Sequence, residues 1–477
     1  MATFNLIRNS RVFFTTNVDG NGLVAATGFD PTDTQEMQVL DGFTFSQASN
    51  ADTVTISEAG GDPVRGQRSF NTSLGNVEFS FSTYVRPKKA STLVTAEESH
   101  LWNALLCSTA IGTAGVAAAT SISDLDITAA GIMTMTATTT PTLVAGDIYV
   151  VHGATGSGAH LLNTAIKVTS NSGTVLVAQY LTSPGILSNI QTQFSAATYT
   201  KTAWNENVAI GADTALTSAY SSVTTALSNK NQLLPFGMMI AVDSVTYVID
   251  NCAMDQAVID FGLDGIATVA WTGKGTALRQ LAATITAPTP GTFATGVTGT
   301  YAEKVTDANF ITNKLSTVTL HAGFGASGTA YTLALTGGSI TVANNITYVT
   351  PANLGVVNLP IGYFTGTRAI SGSMTAYLRT GSTNTAGLLS QLLADSDTTT
   401  EPKYSMTIAI GGASNATHVD VIADSCFLQI PTIDAQAVMS TTINFTVQAA
   451  DPTLGTPVYD IESTNELMLR YFSLIAA

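Results

Sequence analysis

Charge is what this sequence has least of. Only 11% of its 477 residues are Asp, Glu, Lys or Arg, against about 25% in an ordinary globular chain. A free monomer so poor in charge has an adhesive surface, so the shortage predicts that much of it is buried against copies of itself. Basic residues are the scarcer kind, 18 against 33 acidic, for a formal net charge of -15. Duplex-binding proteins neutralise phosphates with clustered Lys and Arg, and the densest basic pair here is Lys88-Lys89, which argues against tight nucleic-acid binding. The three cysteines, Cys107, Cys252 and Cys426, cannot complete a disulfide framework and show no CxxC or Cys/His zinc spacing. They read as small buried hydrophobes in a reducing cytosol.

Other absences narrow the chemistry. The five histidines, His100, His152, His160, His321 and His418, are scattered, with no HExxH or carboxylate spacing for a metal or a general base. No GxSxG elbow occurs. The Gly-rich string Gly153 to Gly158 has no following Lys-Ser/Thr and reads as a flexible turn. Gly273-Lys274-Gly275-Thr276 lacks the upstream Gly of a phosphate loop and reads as the end of a strand holding Trp271. The Glu97-Glu98 pair suits a helix start, where carboxylates complement the macrodipole. No run of about 18 apolar residues exists and residues 1–11 lack an apolar signal core, so neither a membrane span nor a standard export signal is expected.

What is present is the vocabulary of strands and turns: Gly, Thr, Ser, Val and Ala, with 45% hydrophobic residues and 40 glycines. The length predicts two or three domains, and internal similarity suggests how they are arranged. A Gly-led strand opens Asp41 to Ile56 and again Gly337 to Val349. An alternating strand ends in Ser80-Phe81-Ser82-Thr83-Tyr84-Val85-Arg86 and again in Ser373-Met374-Thr375-Ala376-Tyr377-Leu378-Arg379, placing Ser, Thr and Tyr on one face. Each is followed by apolar residues at helix spacing, Leu101, Trp102, Leu105 and Leu106, then Leu388, Leu389, Leu392 and Leu393. Val248 to Cys252 matches Ile422 to Cys426, and Ile259-Asp260 matches Ile433-Asp434. Trp271 is matched to Phe445, and Asn9 to Thr16 is loosely matched to Asn313 to Leu320.

The expected fold is therefore mainly β: two tandem sandwich or barrel units, each with one flanking helix, plus a small inserted β domain. The expected boundaries are 1–112 with 216–285 for the first unit, 113–215 for the insertion, 286–300 for a Thr/Pro/Gly linker and 301–477 for the second unit. Inside the insertion, Asp147 to His152 and Ala165 to Tyr180 read as strands, the latter turning at Asn171-Ser172-Gly173.

The stretches Leu6 to Thr16, Ser69 to Pro87, Leu101 to Leu105, Ile340 to Pro351, Pro360 to Gly366 and Ser371 to Arg379, in this order through both halves, resemble the duplicated tail tube proteins of T-five-like siphophages. The resemblance implies a structural virion protein of the phage tail, assembled in the host cytoplasm, with no enzymatic activity and no cofactor. Six units would close a ring around a β-barrel, so a two-unit chain would need three copies, a homotrimer of pseudo-six-fold symmetry. Stacked rings would form the tube through which DNA is ejected, with tape measure, tail terminator and baseplate or tip proteins as further partners and no membrane. Loops at Ser57 to Asn71 and Ala352 to Phe364 would reach the next ring, making Glu58, Arg65, Arg68, Asn353 and Tyr363 candidate contacts. Tyr84, Arg86, Tyr377 and Arg379 are candidate contacts between adjacent units, or else plain packing residues at a strand end. Two other readings compete: an Ig-like decoration or host-adhesin protein, which would not need a helix after the same strand in both halves, and a glycan-cleaving β scaffold, which would need paired carboxylates in a common cleft.

Overall fold

Alternation of small polar and apolar residues turns most of the described chain into antiparallel strands. The computed structural model describes residues 10–19, 22–24, 34–40, 42–55, 67–90, 93–96, 98–106, 120–127, 132–137, 148–152, 165–173, 175–180, 190–192, 198–201, 207–211, 233–242, 245–280, 294–295, 297–300, 310–322, 329–354, 356–398, 404–411, 418–434, 439–448 and 465–472. The first half contributes β1 (Ser10–Thr15), β2 (Thr34–Met37), β3 (Thr44–Thr55), β4 (Gln67–Tyr84), α1 (Ser99–Leu106), β5 (Phe236–Val242), β6 (Val245–Gly262), β7 (Thr268–Gly275) and β8 (Ala277–Gln280). The second contributes β9 (Thr317–Ala322), β10 (Ala330–Leu333), β11 (Leu335–Ala343), β12 (Ala369–Tyr377), α2 (Thr385–Thr398), β13 (Tyr404–Ile410), β14 (His418–Leu428), β15 (Thr432–Asp434), β16 (Ser440–Val447) and β17 (Asn465–Phe472).

One antiparallel sheet runs through both halves in the order β3-β4-β7-β6-β11-β12-β16-β15. Its central joint is β6 against β11, with Gln256 opposite Ala343 and continuing to Gly262 opposite Gly337. Alternation sorts its two faces. In β4, Val77, Phe79, Phe81 and Thr83 are buried while Glu78 is exposed and Ser80, Ser82 and Tyr84 are part-covered.

A second layer covers the buried face. In the first half β8, the start of β6, β5, β1 and β2 pair in that order. In the second half β17, the start of β14, β13, β9 and β10 do so. The 18-residue β6 serves both layers, pairing β5 and β8 with its first part and β7 and β11 with its last. The pairing register slips between Phe236 and Met238, and Asn251 takes φ 46; such bulges let one strand pass from layer to layer.

The helices complete the core. Trp102 on α1 meets Trp271 edge-on at 4.7 Å, and the Trp271 indole N–H donates to Thr83 Oγ1 at 2.9 Å. Leu101 and Leu105 are buried beside them, as are Leu388 and Leu392 of α2. Leu393, expected on the apolar face, is exposed, because the buried stripe of α2 runs through Thr385, Leu388 and Leu392 and the next residue turns about 100° away from it. Cys252 and Cys426 are buried free thiols, as read from sequence; Cys107 lies outside the described residues.

Between α1 and β5, the strands Thr120–Ile127, Ile132–Ala137, Val175–Tyr180, Ala165–Ser172, Ile148–His152 and Thr198–Lys201 pair successively, and the last returns to the first. Among described residues this closed sheet shares no pairing with the large one. Gly173 turns its central hairpin at φ 65. Asn207–Gly211, within the 113–215 range, instead pairs with β17 of the second layer. Most of the linker and the Gly153 to Gly158 string lie outside the described residues, and Gly273 to Gly275 close β7 as expected.

Candidate assembly surfaces

The large sheet stops at two strands. β3 pairs with β4 alone, and β15 pairs with β16 alone, among the described residues. Each presents a row of backbone donors and acceptors on its outer side, the feature by which sheets recruit further strands. The β15 end is also apolar: Phe427, Ile430, Ile433 and Met439 are all exposed there.

The face of this sheet turned away from the core is lined with hydroxyls. Across β4, β7, β6, β11, β12 and β16 one register row reads Ser82, Ala270, Val258, Thr341, Ser371 and Thr446. Exposed charges on it are few: Glu78 and Asp260 are carboxylates, while the Lys274 ammonium is held 2.9 Å from Asp255 and donates to the Ile346 carbonyl.

Beyond the sheet the β3-β4 hairpin extends as an exposed arm. Gln67 to Asn71, expected as loop, are strand paired to Ala51–Thr55, because the backbone ladder between β3 and β4 continues past the core. Its flank holds the 350–361 loop: Asn358 N–H donates to Thr72 O, and Leu74 N–H donates to Asn358 O. Around this contact Leu354, Val356, Val357, Leu359, Ile361 and Phe364 are exposed, a contiguous apolar stretch of the kind that marks an interaction surface.

The candidate contact residues divide. Arg86 is buried, its Nη1 donating to Gln38 Oε1 at 2.6 Å and its guanidinium 5.0 Å from the Phe310 ring. Tyr84 meets the same ring edge-on at 5.1 Å. Tyr377 and Arg379, which occupy the same signature positions in the second half, are exposed. Arg68 stacks on Phe70 of the arm at 4.8 Å. The Asn353 N–H donates to Asn358 Oδ1, bracing the apolar loop. Tyr363 packs against Tyr348 at 5.5 Å and donates to the Leu233 carbonyl, and burial raises its pKa. Glu58 and Arg65 lie outside the described residues. Sequence reading missed Phe310 as the partner of Tyr84 and Arg86, because nothing in the text ties a residue to contacts more than 200 positions upstream.

No cluster of His, Cys, Asp or Glu able to hold a metal exists among the described residues. An extended sheet with unpaired edges among the described residues, polar on one face and apolar at its rims, has the geometry of the class of proteins that assemble through strand pairing. Within that class the resemblance read from the sequence is borne out across the chain. It is 25% identical over 462 residues to the tail tube protein pb6 of Escherichia phage T5, a match taking in 96% of this chain and 75% of that protein. No protein-family model matches the chain.

Proposed function

We propose that this protein is a tail tube subunit of a siphophage virion: two copies of one β unit per chain, three chains per pseudo-six-fold ring, and rings stacked into a conduit for DNA ejection. The observation that carries the reading is the sheet that crosses from one half to the other through β6 and β11 and still ends, among the described residues, in two strands with a free outer edge. Joining chains end to end pairs both free edges of this sheet once the curve closes.

Matching registers support the two-unit reading. Phe236 pairs with Cys252 and Met238 with Ile249 around a bulge; Tyr404 pairs with Cys426 and Met406 with Ala423 around another. Asp260 faces Thr268 as Asp434 faces Ser440. These registers refine two sequence matches. Tyr84 faces Thr268 and Tyr377 faces Ser440, so Trp271 corresponds to Ile443, and Phe445 to Gly273. Val12 faces Ile240 as Val318 faces Ile408, so the opening strands correspond two residues away from the sequence alignment.

The hydroxyl face, with its sparse carboxylates, suits the channel wall, where it would hydrate passing DNA without gripping its phosphates. The arm and the apolar 350–361 loop suit contact with the next ring. A tape measure protein would occupy the bore before ejection, with terminator and tip proteins at the tube ends; assembly would take place in the host cytoplasm, and no catalysis is assigned. Native mass measurement and electron microscopy of the purified full chain test the reading. Trimers, rings or tubes are expected; a stable monomer that forms none of these at high concentration overturns it.

A further inference from the structure

We infer that the seam between two chains repeats, residue for residue, the joint inside one chain: β15 of one copy pairs antiparallel with β3 of the next, Asp434 opposite Thr44, Ile433 opposite Phe45 and Thr432 opposite Ser46. This rests on the ring reading above and gives its contact. Inside the chain Asp260 faces Ser339, Ile259 faces Ile340 and Val258 faces Thr341. The strand registers convert each partner. Asp260 and Asp434 hold the same place against β7 and β16. On the other side Phe45 faces Phe79 as Ile340 faces Gly372, and Thr44 faces Ser80 as Ser339 faces Ser373. Phe79 and Gly372 each lie five residues before the signature tyrosine of their strand.

Burial shows which side of the comparison is incomplete. Ile259 and Ile340 are 3% and 0% exposed, whereas Ile433 is 40% exposed and Phe45 is only partly covered. Covering the Ile433 and Phe45 side chains removes apolar surface from water at both ends of the sheet at once.

A second contact travels with the first. The segment around Phe310 docks on the first half: Ile266 bridges to Thr312, and Ala267 N–H donates to Ile311 O. Phe310 there fills the space between Tyr84 and Arg86. The counterparts of Ala267, Tyr84 and Arg86 are Met439, Tyr377 and Arg379, all exposed. The exposed Met439, Tyr377 and Arg379 end is therefore the second surface that the seam covers.

The test is cysteine cross-linking in the full chain. Thr44→Cys with Asp434→Cys should give disulfide-linked dimers and trimers under mild oxidation, while Ser46→Cys with Asp434→Cys, displaced by one residue pair on the same face, should give at least tenfold less. Preferential linkage of the displaced pair in assembled rings overturns the register and leaves the ring reading standing. Absence of any trimer or ring in the unsubstituted protein overturns both. For the second contact, Tyr377→Ala should reduce tube yield tenfold or more with the monomer melting temperature unchanged. Wild-type tube yield from Tyr377→Ala overturns that contact.

Discussion

The ring of Phe79 lies over the bare α-carbon of Gly273, its partner across β4 and β7, and in the other half Phe445 covers Gly372 in the same manner. The aromatic and the glycine have exchanged strands, yet one ring fills the space each time. A β-carbon at Gly372 would stand 2.3 Å from the Ser339 carbonyl oxygen and 2.4 Å from Phe445 Cζ. Gly372→Ala should therefore lower stability by about 2–4 kcal/mol, since backbone cannot yield as a side-chain tip can. Urea unfolding measures it, and a change under about 0.5 kcal/mol would show the sheet yielding where it is drawn rigid.

Asp250 is buried beneath β8. Its Oδ2 accepts from Arg279 Nε at 2.6 Å, and its Oδ1 accepts from the Val24 N–H at 2.8 Å. Arg279 Nη2 in turn donates to the Val24 carbonyl at 2.6 Å, so one ion pair holds the strand end and a remote segment together. Asp250 is buried while the Arg279 side chain is 36% exposed, and Asp250 keeps the Val24 N–H, so Arg279→Ala should cost about 1–3 kcal/mol. Calorimetry should show this as a lower melting temperature, and no change would mean that water or another cation replaces the arginine.

Acidification should loosen the first half. His100, at the start of α1, has its ring 5.8 Å from that of Phe14, and burial lowers its pKa to about 4 from 6.5. The unfolded chain binds this proton at higher pH than the folded one. The stabilisation is thus complete above about pH 6.5 and is lost progressively as pH falls towards 4, by the order of 2 kcal/mol. His321 is shifted in the same direction by burial. Melting curves between pH 7 and 4 should flatten in His100→Gln; an unaltered slope would assign the acid sensitivity elsewhere.

Arg86 and Arg379 should behave differently although they end the same sequence signature. Arg86→Ala loses the bond to Gln38 and the contact with Phe310, which together are worth about 1–3 kcal/mol of monomer stability. Arg379→Ala should leave the isolated chain within about 0.5 kcal/mol of wild type. Equal destabilisation by both, read from denaturant midpoints, would contradict their different burial.

Much of this architecture was legible in the sequence because strand alternation and the repeated Tyr-x-Arg ending are local patterns. The two helices could be placed from Leu and Trp spacing, and Cys252 with Cys426 marked equivalent bulges. Register was harder to read. The match of Trp271 to Phe445 followed aromatic character, but Phe79 and Gly273 fill jointly what Gly372 and Phe445 fill in reverse, so a single-strand comparison slips by two residues. The long arm was misread in part as loop because Gln67 to Asn71 carry a single apolar residue, Phe70, too few for alternation to reveal a strand. The Phe310 contact was invisible since it depends on the chain returning to an earlier strand end.

The seven facing residue pairs between β6 and β11 have a mechanical consequence. However pliant the Thr/Pro/Gly stretch between the halves, it cannot act as a hinge, because the ladder fixes their relative orientation. A protease nick in that stretch should leave two fragments that co-migrate until denatured, and lengthening it should leave the curvature of the wall unaltered.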